Sequence, residues 1–246
     1  MDDRTILEFE VYSKYALFTE PLSRLGDEKI TSMFPTYSAL KGVVDNIYRK
    51  PTIKWVIDEV RVMNPIRMAS KGLNHRMSDN KINPVNHTYL YKPRYQVRAH
   101  FEFNIDRPDL KEDYIIAKHA AIAKRALKNG GRFPITLGTT ECVANVEPCV
   151  FGEDVSYYDD VEIQTAGLML HSIRYPDTEH ETDVISYFWH PKMKKGIIKF
   201  IRQEECEIFL NNGSIENFTK KYELGKNMRS VDDEYITYDQ QEPMKD

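Results

Sequence analysis

Cysteines and long apolar runs are scarce in this sequence, and both absences limit the class of protein. The three cysteines (Cys142, Cys149 and Cys206) are too few, and odd in number, for a disulfide framework. No run of 18 apolar residues occurs, so we expect no transmembrane helix. The acidic start at Met1-Asp2-Asp3-Arg4 lacks the apolar segment of a signal peptide. We therefore expect a protein of the reducing cytoplasm that binds no membrane.

The sequence also lacks the common motifs of metal and cofactor sites. Cys142 and Cys149 are seven positions apart, which does not fit a zinc site, and no suitable histidine pair follows. Phosphate-binding glycine loops, dinucleotide-binding loops and nucleophile elbows are absent. Paired acids occur at Asp159-Asp160, but this acidic, turn-like stretch is more typical of a solvated loop. We expect neither a metal nor a cofactor.

Charge is unevenly distributed along the chain. The formal net charge of −4 would by itself argue against a nucleic-acid partner. Residues 41–132, however, contain 19 lysines and arginines against 9 acidic residues, a net charge of +10, while the remainder carries 15 against 29, a net charge of −14. Basic residues collected in one segment indicate a polyanion partner. The alternative is that the fold scatters these cations over the surface.

Hydrophobic periodicity predicts a β-α-β-β-α-β order over the first 150 residues. In chain order the segments are strand 5–18, helix 37–48, strand 52–63, strand 87–103, helix 109–129 and a strand near 142–146. The polar and basic stretch 64–86 is expected to be a long loop or an insert. This order is that of a ferredoxin-like domain, which RNA-recognition modules share.

Beyond residue 150 the helical periodicity ends. Segments near 155–175, 184–190 and 196–202 have the composition of antiparallel strands, with Lys194-Lys195-Gly196 as a hairpin turn. The last residues are polar and acidic, as in a disordered tail. We therefore expect an α+β protein with a ferredoxin-like domain at 1–150, a small antiparallel β-sheet domain at 151–222 and a tail at 223–246.

Two short segments contain residue types that could cleave RNA without a metal. Tyr48-Arg49-Lys50 closes the first predicted helix, and Lys118-His119 lies within the second. Histidine moves protons near neutral pH, lysine stabilises negative charge, and a tyrosine hydroxyl orients or donates. On spacing alone, simpler explanations are favoured. The cations suit a helix C-terminus, and His119 lies at the edge of the apolar stripe, with Lys118 on another side.

Several motifs, in sequence order, resemble one protein family. They include Pro35-Thr36-Tyr37-Ser38-Ala39-Leu40-Lys41-Gly42, Ile47-Tyr48-Arg49-Lys50-Pro51, Val60-Arg61-Val62-Met63-Asn64-Pro65-Ile66, Tyr95-Gln96-Val97-Arg98-Ala99-His100-Phe101, Gly130-Gly131-Arg132, Glu141-Cys142, Pro148-Cys149 and Phe151-Gly152. This set resembles the CRISPR-associated Cas-five family, Dvulg subtype, of type I-C systems, over most of residues 5–210. The resemblance implies a ferredoxin-like domain with a small β domain. It also implies metal-independent cleavage of CRISPR precursor RNA within its repeat hairpin.

The resemblance also implies a catalytic group. In that family a tyrosine of an Ile-Tyr-x-Lys-Pro motif and a Lys-His pair of the second helix are proposed to act together, which here gives Tyr48, Lys118 and His119. The position after the tyrosine is often tryptophan in the family but is Arg49 here, which argues against stacking there. We expect His119 to exchange protons at the reacting oxygens and Lys118 to hold phosphorane charge. Tyr48 would orient the scissile nucleotide or donate to the leaving group.

Ten basic residues are candidates for gripping RNA, because A-form stems are read mostly through shape and phosphates. They are Lys41, Arg49, Arg61, Arg67, Lys71, Arg76, Lys92, Arg94, Arg98 and Arg132. The product would stay bound by its 5′ handle in a surveillance complex with backbone (Cas-seven type) and large (Cas-eight type) subunits. Two alternatives stay open: a non-catalytic RNA-binding cap of that complex, and a generic RNA-recognition module. The sequence also leaves open whether duplex DNA is a second ligand.

Overall fold

The structure, a computed structural model, describes residues 2–19, 27–76, 82–176 and 182–214. The chain divides into two units, one of Met1–Ile173 with Ser186–Leu210 and the other of Arg174–Ile185 with Asn211–Asp246. The tail predicted at 223–246 lies outside the described residues. In the part of the chain that the structure covers, no helix has the length and apolar character needed to cross a membrane.

The described residues form two α-helices and three sheets. The helices are α1 (Tyr37–Ile47) and α2 (Ile116–Lys128). The strands, in chain order, are β1 (Ile6–Ser13), β2 (Tyr15–Ala16), β3 (Ile53–Val62), β4 (Met68–Arg76), β5 (Ile82–Tyr91), β6 (Arg94–Phe103), β7 (Ala144–Pro148), β8 (Gln164–Thr165), β9 (Met169–Arg174), β10 (Asp183–Trp189), β11 (Lys192–Lys194), β12 (Ile197–Lys199) and β13 (Ile208–Ser214). The sheet orders are β7-β1-β6-β3-β12-β11-β8, β2-β5-β4 and β13-β10-β9.

The ferredoxin-like core predicted from the sequence is confirmed. Its elements follow one another along the chain as β1, α1, β3, β6, α2 and β7. Within the large sheet the four strands stand in the order β7-β1-β6-β3, and each neighbouring pair is antiparallel. The helix α1 contacts β3, α2 contacts β1 and β7, and the two helices contact each other. This packing brings the end of α1 close to the beginning of α2.

Local sequence explains why these elements form. The strand β1 alternates between half-buried and buried residues along its whole length. The helix α1 begins after Thr36, whose hydroxyl accepts a hydrogen bond from the Ala39 N–H. Its buried stripe consists of Leu40, Val43, Val44 and Ile47. The helix α2 is followed by Gly130 and Gly131, both at positive φ, and the Gly131 N–H donates to the Ala126 carbonyl (2.9 Å).

Three elements differ from the sequence prediction. The stretch 64–86 is not a loop, because β4 and β5 form an antiparallel hairpin that also pairs with β2. Most described side chains of β4 are exposed, so this strand lacks the apolar alternation by which strands are recognised. The strand predicted at 87–103 is two strands, separated at Lys92-Pro93, where Lys92 has a φ of 51°. The second helix begins at Ile116, after a 3₁₀ turn over Pro108–Asp113.

Strands beyond residue 150 continue the large sheet. The strand β12 pairs with β3, β11 pairs with β12, and β8 pairs with β11, all antiparallel. Between β11 and β12 the turn residues Lys195 and Gly196 have φ angles of 49° and 76°, which confirms the predicted hairpin turn. The division of the chain into domains at residue 150 stays a prediction.

Candidate active site

Tyr48 and His119 meet where the end of α1 approaches the beginning of α2. Tyr48 directly follows α1, and its N–H donates to the Val44 carbonyl (3.0 Å). Its own carbonyl accepts a hydrogen bond from Nε1 of Trp55 (2.6 Å), which fixes the backbone at this point. The Tyr48 hydroxyl lies 2.8 Å from Nδ1 of His119, and both side chains are fully buried.

The ring of His119 is held through both nitrogens. Its Nε2 lies 2.8 Å from the backbone carbonyl of Asp113, and because a carbonyl only accepts hydrogen bonds, Nε2 carries a proton. In the neutral ring Nδ1 is then the acceptor, and the Tyr48 hydroxyl is its donor. The rings of Phe101 and Phe103 face His119 edge-on, with centroids 6.0 and 6.2 Å away. His119 is therefore a buried, oriented base whose free ring nitrogen is hydrogen-bonded to the equally buried Tyr48.

Asp113 joins Lys118 to this pair. Its Oδ1 accepts a hydrogen bond from Nζ of Lys118, and its Oδ2 accepts one from the Thr52 hydroxyl (2.8 Å). The same Oδ2 lies 3.5 Å from Nε2 of His119. The hydrogen bond from Lys118 holds the pKa of Asp113 below its usual range, and the carboxylate in turn raises the pKa of Lys118. Burial raises the pKa of the Tyr48 hydroxyl.

The structure brings the three candidate catalytic residues together, with one change from expectation. Lys118 is half exposed, as a solvated lysine should be. His119, which the helical spacing placed at the edge of the apolar stripe, is completely buried, because side chains from outside α2 cover it. Asp113 was not among the site residues predicted from the sequence. Its only sequence signal is an acidic residue shortly before a helix, a position that acids favour for ordinary helix stability.

Two of the candidate RNA-binding arginines border this site. The N–H groups of Arg132 and Phe133 both donate to the Asn46 carbonyl (3.0 Å each), which ties the chain after α2 to the end of α1. The Arg132 guanidinium lies 4.8 Å from the ring centre of Tyr48. Arg49 is exposed directly after Tyr48. Within the described residues, no carboxylate forms an ion pair with either arginine.

Two other candidate arginines lie on the large sheet and are paired with acids. Arg94 forms an ion pair with Glu10 (2.6 Å), and Arg98 forms one with Glu8 (2.9 Å). Both guanidinium groups are partly exposed. A phosphate would therefore have to share them with these carboxylates.

Arg61 differs from the expectation that it contacts RNA. Its side chain is buried and donates to the Asp159 carboxylate (2.8 Å) and to the carbonyls of Glu153 (2.9 Å) and Asp154 (3.1 Å). It is a structural arginine, because all of these acceptors lie within the fold. The same contact explains Asp159, whose neighbour Tyr158 is buried, so the stretch expected to be a solvated loop is partly packed. Within the described residues, no three histidine, cysteine or acidic side chains are grouped as a metal site requires.

The remaining candidate cations lie on or beside the β4–β5 hairpin and on α1. Arg67, Lys71 and Lys92 are exposed, and Nζ of Lys71 lies 3.6 Å from the ring centre of Tyr15. Lys41 forms an ion pair with Asp45 (3.0 Å) on α1. The side chain of Arg76 lies outside the described part of the structure.

One curated relative and one family model match the sequence. The family model, for the Cas5d type and described as "CRISPR-associated protein (Cas_Cas5)", matches residues 6–201. The relative is the CRISPR pre-crRNA endoribonuclease Cas5d of Mannheimia succiniciproducens, which is 28% identical over 124 residues. That match covers 49% of this chain and 54% of the relative, so the chain spans about half the length of this protein.

Two solved structures share the fold. One, a CRISPR-associated protein, is 35% identical with a TM-score of 0.70. The other, a functionally uncharacterized protein from Streptococcus mutans, is 36% identical with a TM-score of 0.67. Each match covers 83% of this chain and 96% of the other. Because the family model spans most of the sequence and the folds agree, the chain belongs to the Cas5d family of CRISPR-associated proteins.

Proposed function

We propose that this protein is a cytoplasmic, metal-independent endoribonuclease that cuts CRISPR precursor RNA within its repeat hairpin. The observation that carries the proposal is the 2.8 Å contact between the Tyr48 hydroxyl and Nδ1 of His119, with Lys118 joined to the same site. Attack on phosphorus by a ribose 2′-hydroxyl needs a base that takes its proton and a positive charge that stabilises the phosphorane. The histidine with its tyrosine hydroxyl can supply the first, and the lysine ammonium can supply the second. The name of the Mannheimia relative supports precursor RNA as the substrate.

Tyr48, which is hydrogen-bonded to His119, takes the proton from the substrate; since both side chains are fully buried, this step requires that RNA binding uncovers the phenol oxygen. The 2′-hydroxyl gives its proton to the phenol oxygen while the phenol gives its own proton to Nδ1 of His119. The 2′-oxygen bonds to phosphorus, and the bond from phosphorus to the 5′-oxygen breaks. The products are a 2′,3′-cyclic phosphate and a 5′-hydroxyl.

Lys118 acts on the other side of the reaction. Its half-exposed ammonium stabilises the negative charge of the phosphorane and gives a proton to the departing 5′-oxygen. The cycle closes when His119 loses the proton it received and Lys118 regains one, both by exchange with solvent. Arg132, whose guanidinium lies over Tyr48, would attract the scissile phosphate to the same place.

Exposed cations outside the reacting group would position the RNA. Arg49 lies beside the site, and Arg67, Lys71 and Lys92 lie on and beside the β4–β5 hairpin. Contacts of this kind are made to phosphates, so they position the stem without reading its sequence. We further propose that the cut RNA stays bound by its 5′ handle and that backbone and large subunits then assemble on it.

The deciding experiment is incubation of the purified protein with a labelled repeat-hairpin RNA in excess EDTA. Cleavage at one position by the wild-type protein, but not by a His119→Ala variant, supports the proposal. Tight binding without cleavage, with or without added magnesium, would instead make the protein a non-catalytic RNA-binding cap. Binding to any single-stranded RNA with equal affinity would favour a generic RNA-recognition module.

A further inference from the structure

We propose that Asp113 is a positioning residue of this site, which holds the Lys118 ammonium in place and stabilises the imidazolium that forms when His119 takes a proton. This inference rests on the proposed function. We expect Asp113 to make no contact with the RNA itself. Its carboxylate lies between His119, which gains a proton in the reaction, and Lys118, which loses one.

The contacts of Asp113 are specific in number and direction. One carboxylate oxygen accepts from Lys118, and the other accepts from the buried Thr52 hydroxyl at 2.8 Å and lies 3.5 Å from Nε2 of His119. The backbone carbonyl of the same residue accepts from Nε2 at 2.8 Å. A single residue therefore sets the tautomer of the histidine and supplies the negative charge beside it.

The backbone around Asp113 is fixed by its neighbours. Asp113 ends a 3₁₀ turn, and the following Tyr114 stacks on Phe103 with ring centroids 4.5 Å apart and planes 5° apart. The Tyr114 hydroxyl donates to the Asn104 carbonyl (2.6 Å). The Asn104 N–H donates to the carbonyl of Thr52 (2.8 Å), which is the residue that binds the Asp113 side chain. The position of Asp113 is thus fixed both at its backbone and at its side chain.

Proton transfer to His119 creates a positive charge beside Asp113. When the Tyr48 phenol passes its proton to Nδ1, the ring becomes a cation inside the protein. A buried cation is costly unless an anion is close, and a carboxylate at 3.5 Å from Nε2 supplies that anion. The other groups facing His119 are the Tyr48 hydroxyl and the uncharged rings of Phe101 and Phe103. Lys118 and Arg132 are cations nearby, and the Asp113 carboxylate offsets their charge.

A purely structural role for Asp113 is the competing explanation. An acid shortly before α2 would stabilise that helix through its dipole, whatever the protein does. Asp109 provides a matched control, because it lies in the same 3₁₀ turn and pairs with Arg107 (2.7 Å) rather than with the active site. Asp113→Asn and Asp109→Asn each remove one carboxylate from the same element with almost no change in shape.

The test measures the single-turnover cleavage rate, the RNA dissociation constant and the thermal unfolding midpoint of wild type, D113N and D109N between pH 5 and pH 9. We expect D113N to cleave more slowly by up to about 10⁴-fold, the loss seen when the acid behind a catalytic histidine becomes an amide, to bind the hairpin about as tightly as wild type, and to shift the inflection of its pH–rate profile to lower pH. D109N should match wild type in all three. Thr52→Val, which removes the donor that fixes the carboxylate, should fall between D113N and wild type.

Two outcomes separate the inference from the proposed function. If wild type cleaves and H119A does not, but D113N cleaves at the wild-type rate with the same pH profile, Asp113 is only structural and the inference is wrong while the proposed function stands. An equal loss of rate in D113N and D109N, with lowered unfolding midpoints, would also contradict the inference about Asp113. If wild type never cleaves, both the proposed function and the inference are wrong.

Discussion

The Tyr48 hydroxyl and Nδ1 of His119 lie 2.8 Å apart, although 71 positions separate the two residues in the sequence. One residue follows the first helix of a ferredoxin-like core and the other lies in the first turn of the second helix, so packing of these helices against one sheet creates the pair. The pairing also explains why both polar groups tolerate complete burial, because each satisfies the other.

Replacing Tyr48 with phenylalanine tests the proton path directly. We expect Tyr48→Phe to reduce the cleavage rate about 10²- to 10⁴-fold, the usual contribution of a proton-transfer group, and to change hairpin binding little. The variant should lose about 1–3 kcal/mol of unfolding free energy, because Nδ1 of His119 is left without its donor. Single-turnover kinetics and thermal unfolding measure both.

The control for this variant is Tyr89→Phe. Tyr89 is also buried, and its hydroxyl also lies near a histidine nitrogen, Nδ1 of His87, at 3.4 Å. The Y89F variant should keep the wild-type cleavage rate. Equal activity of Y48F and wild type would remove the Tyr48 hydroxyl from the mechanism.

The ion pairs on the sheet predict an order among the RNA-binding arginines. We expect R49Q/R132Q to flatten the dependence of log affinity on log salt by about 0.7–0.9 per lost phosphate contact. The pair R94Q/R98Q should flatten it less, since Glu10 and Glu8 already occupy those guanidinium groups. Binding titrations at several salt concentrations, with cognate and scrambled stems, give the slopes. A larger effect of R94Q/R98Q would mean that RNA displaces the carboxylates.

The residues at the site predict which bonds are made and broken. The upstream fragment should end in a 2′,3′-cyclic phosphate and the downstream fragment should begin with a 5′-hydroxyl, and mass spectrometry distinguishes these ends. A single deoxynucleotide just upstream of the cut should stop cleavage but leave binding intact. Efficient cutting of the deoxy-substituted RNA, or strict dependence on magnesium, would overturn the mechanism.

A second buried histidine predicts how stability depends on pH. Burial lowers the pKa of His171 from 6.5 to about 4, so the unfolded chain takes up this proton at a higher pH than the folded protein does. Above pH 6.5 the His171 ring is neutral in both states. As the pH falls from 6.5 towards 4 the unfolded chain is protonated first, so the free energy of unfolding falls by about 3 kcal/mol. Urea unfolding at several pH values measures this loss.

H171Q is the test variant for the pH prediction, and H190Q is its control. His190 is exposed, so H190Q should follow the wild-type dependence on pH. H171Q should show a weaker fall in unfolding free energy between pH 6.5 and pH 4. Parallel curves for all three proteins would show that His171 is not the titrating group.

The ferredoxin-like core could be predicted because its signals are local. The side chains of β1 and α1 that pack into the core must be apolar. In the sequence these residues recur every 2 positions in the strand and about every 3.6 positions in the helix. The β4–β5 hairpin could not be predicted in this way. Most described side chains of β4 face solvent, so backbone pairing, and not an apolar pattern, defines that strand.

For the site, the sequence by itself determined which residue types were available: Tyr48 at the end of one helix, and Lys118 and His119 in another. Only the tertiary structure decided their relationships. Helix packing buried His119 and turned it toward Tyr48, and the 3₁₀ turn before α2 placed the unforeseen Asp113 against both Lys118 and His119. It also assigned Arg61 to the fold's interior. The physical reason is that burial and hydrogen-bond partners depend on contacts between distant segments, which spacing along one helix does not contain.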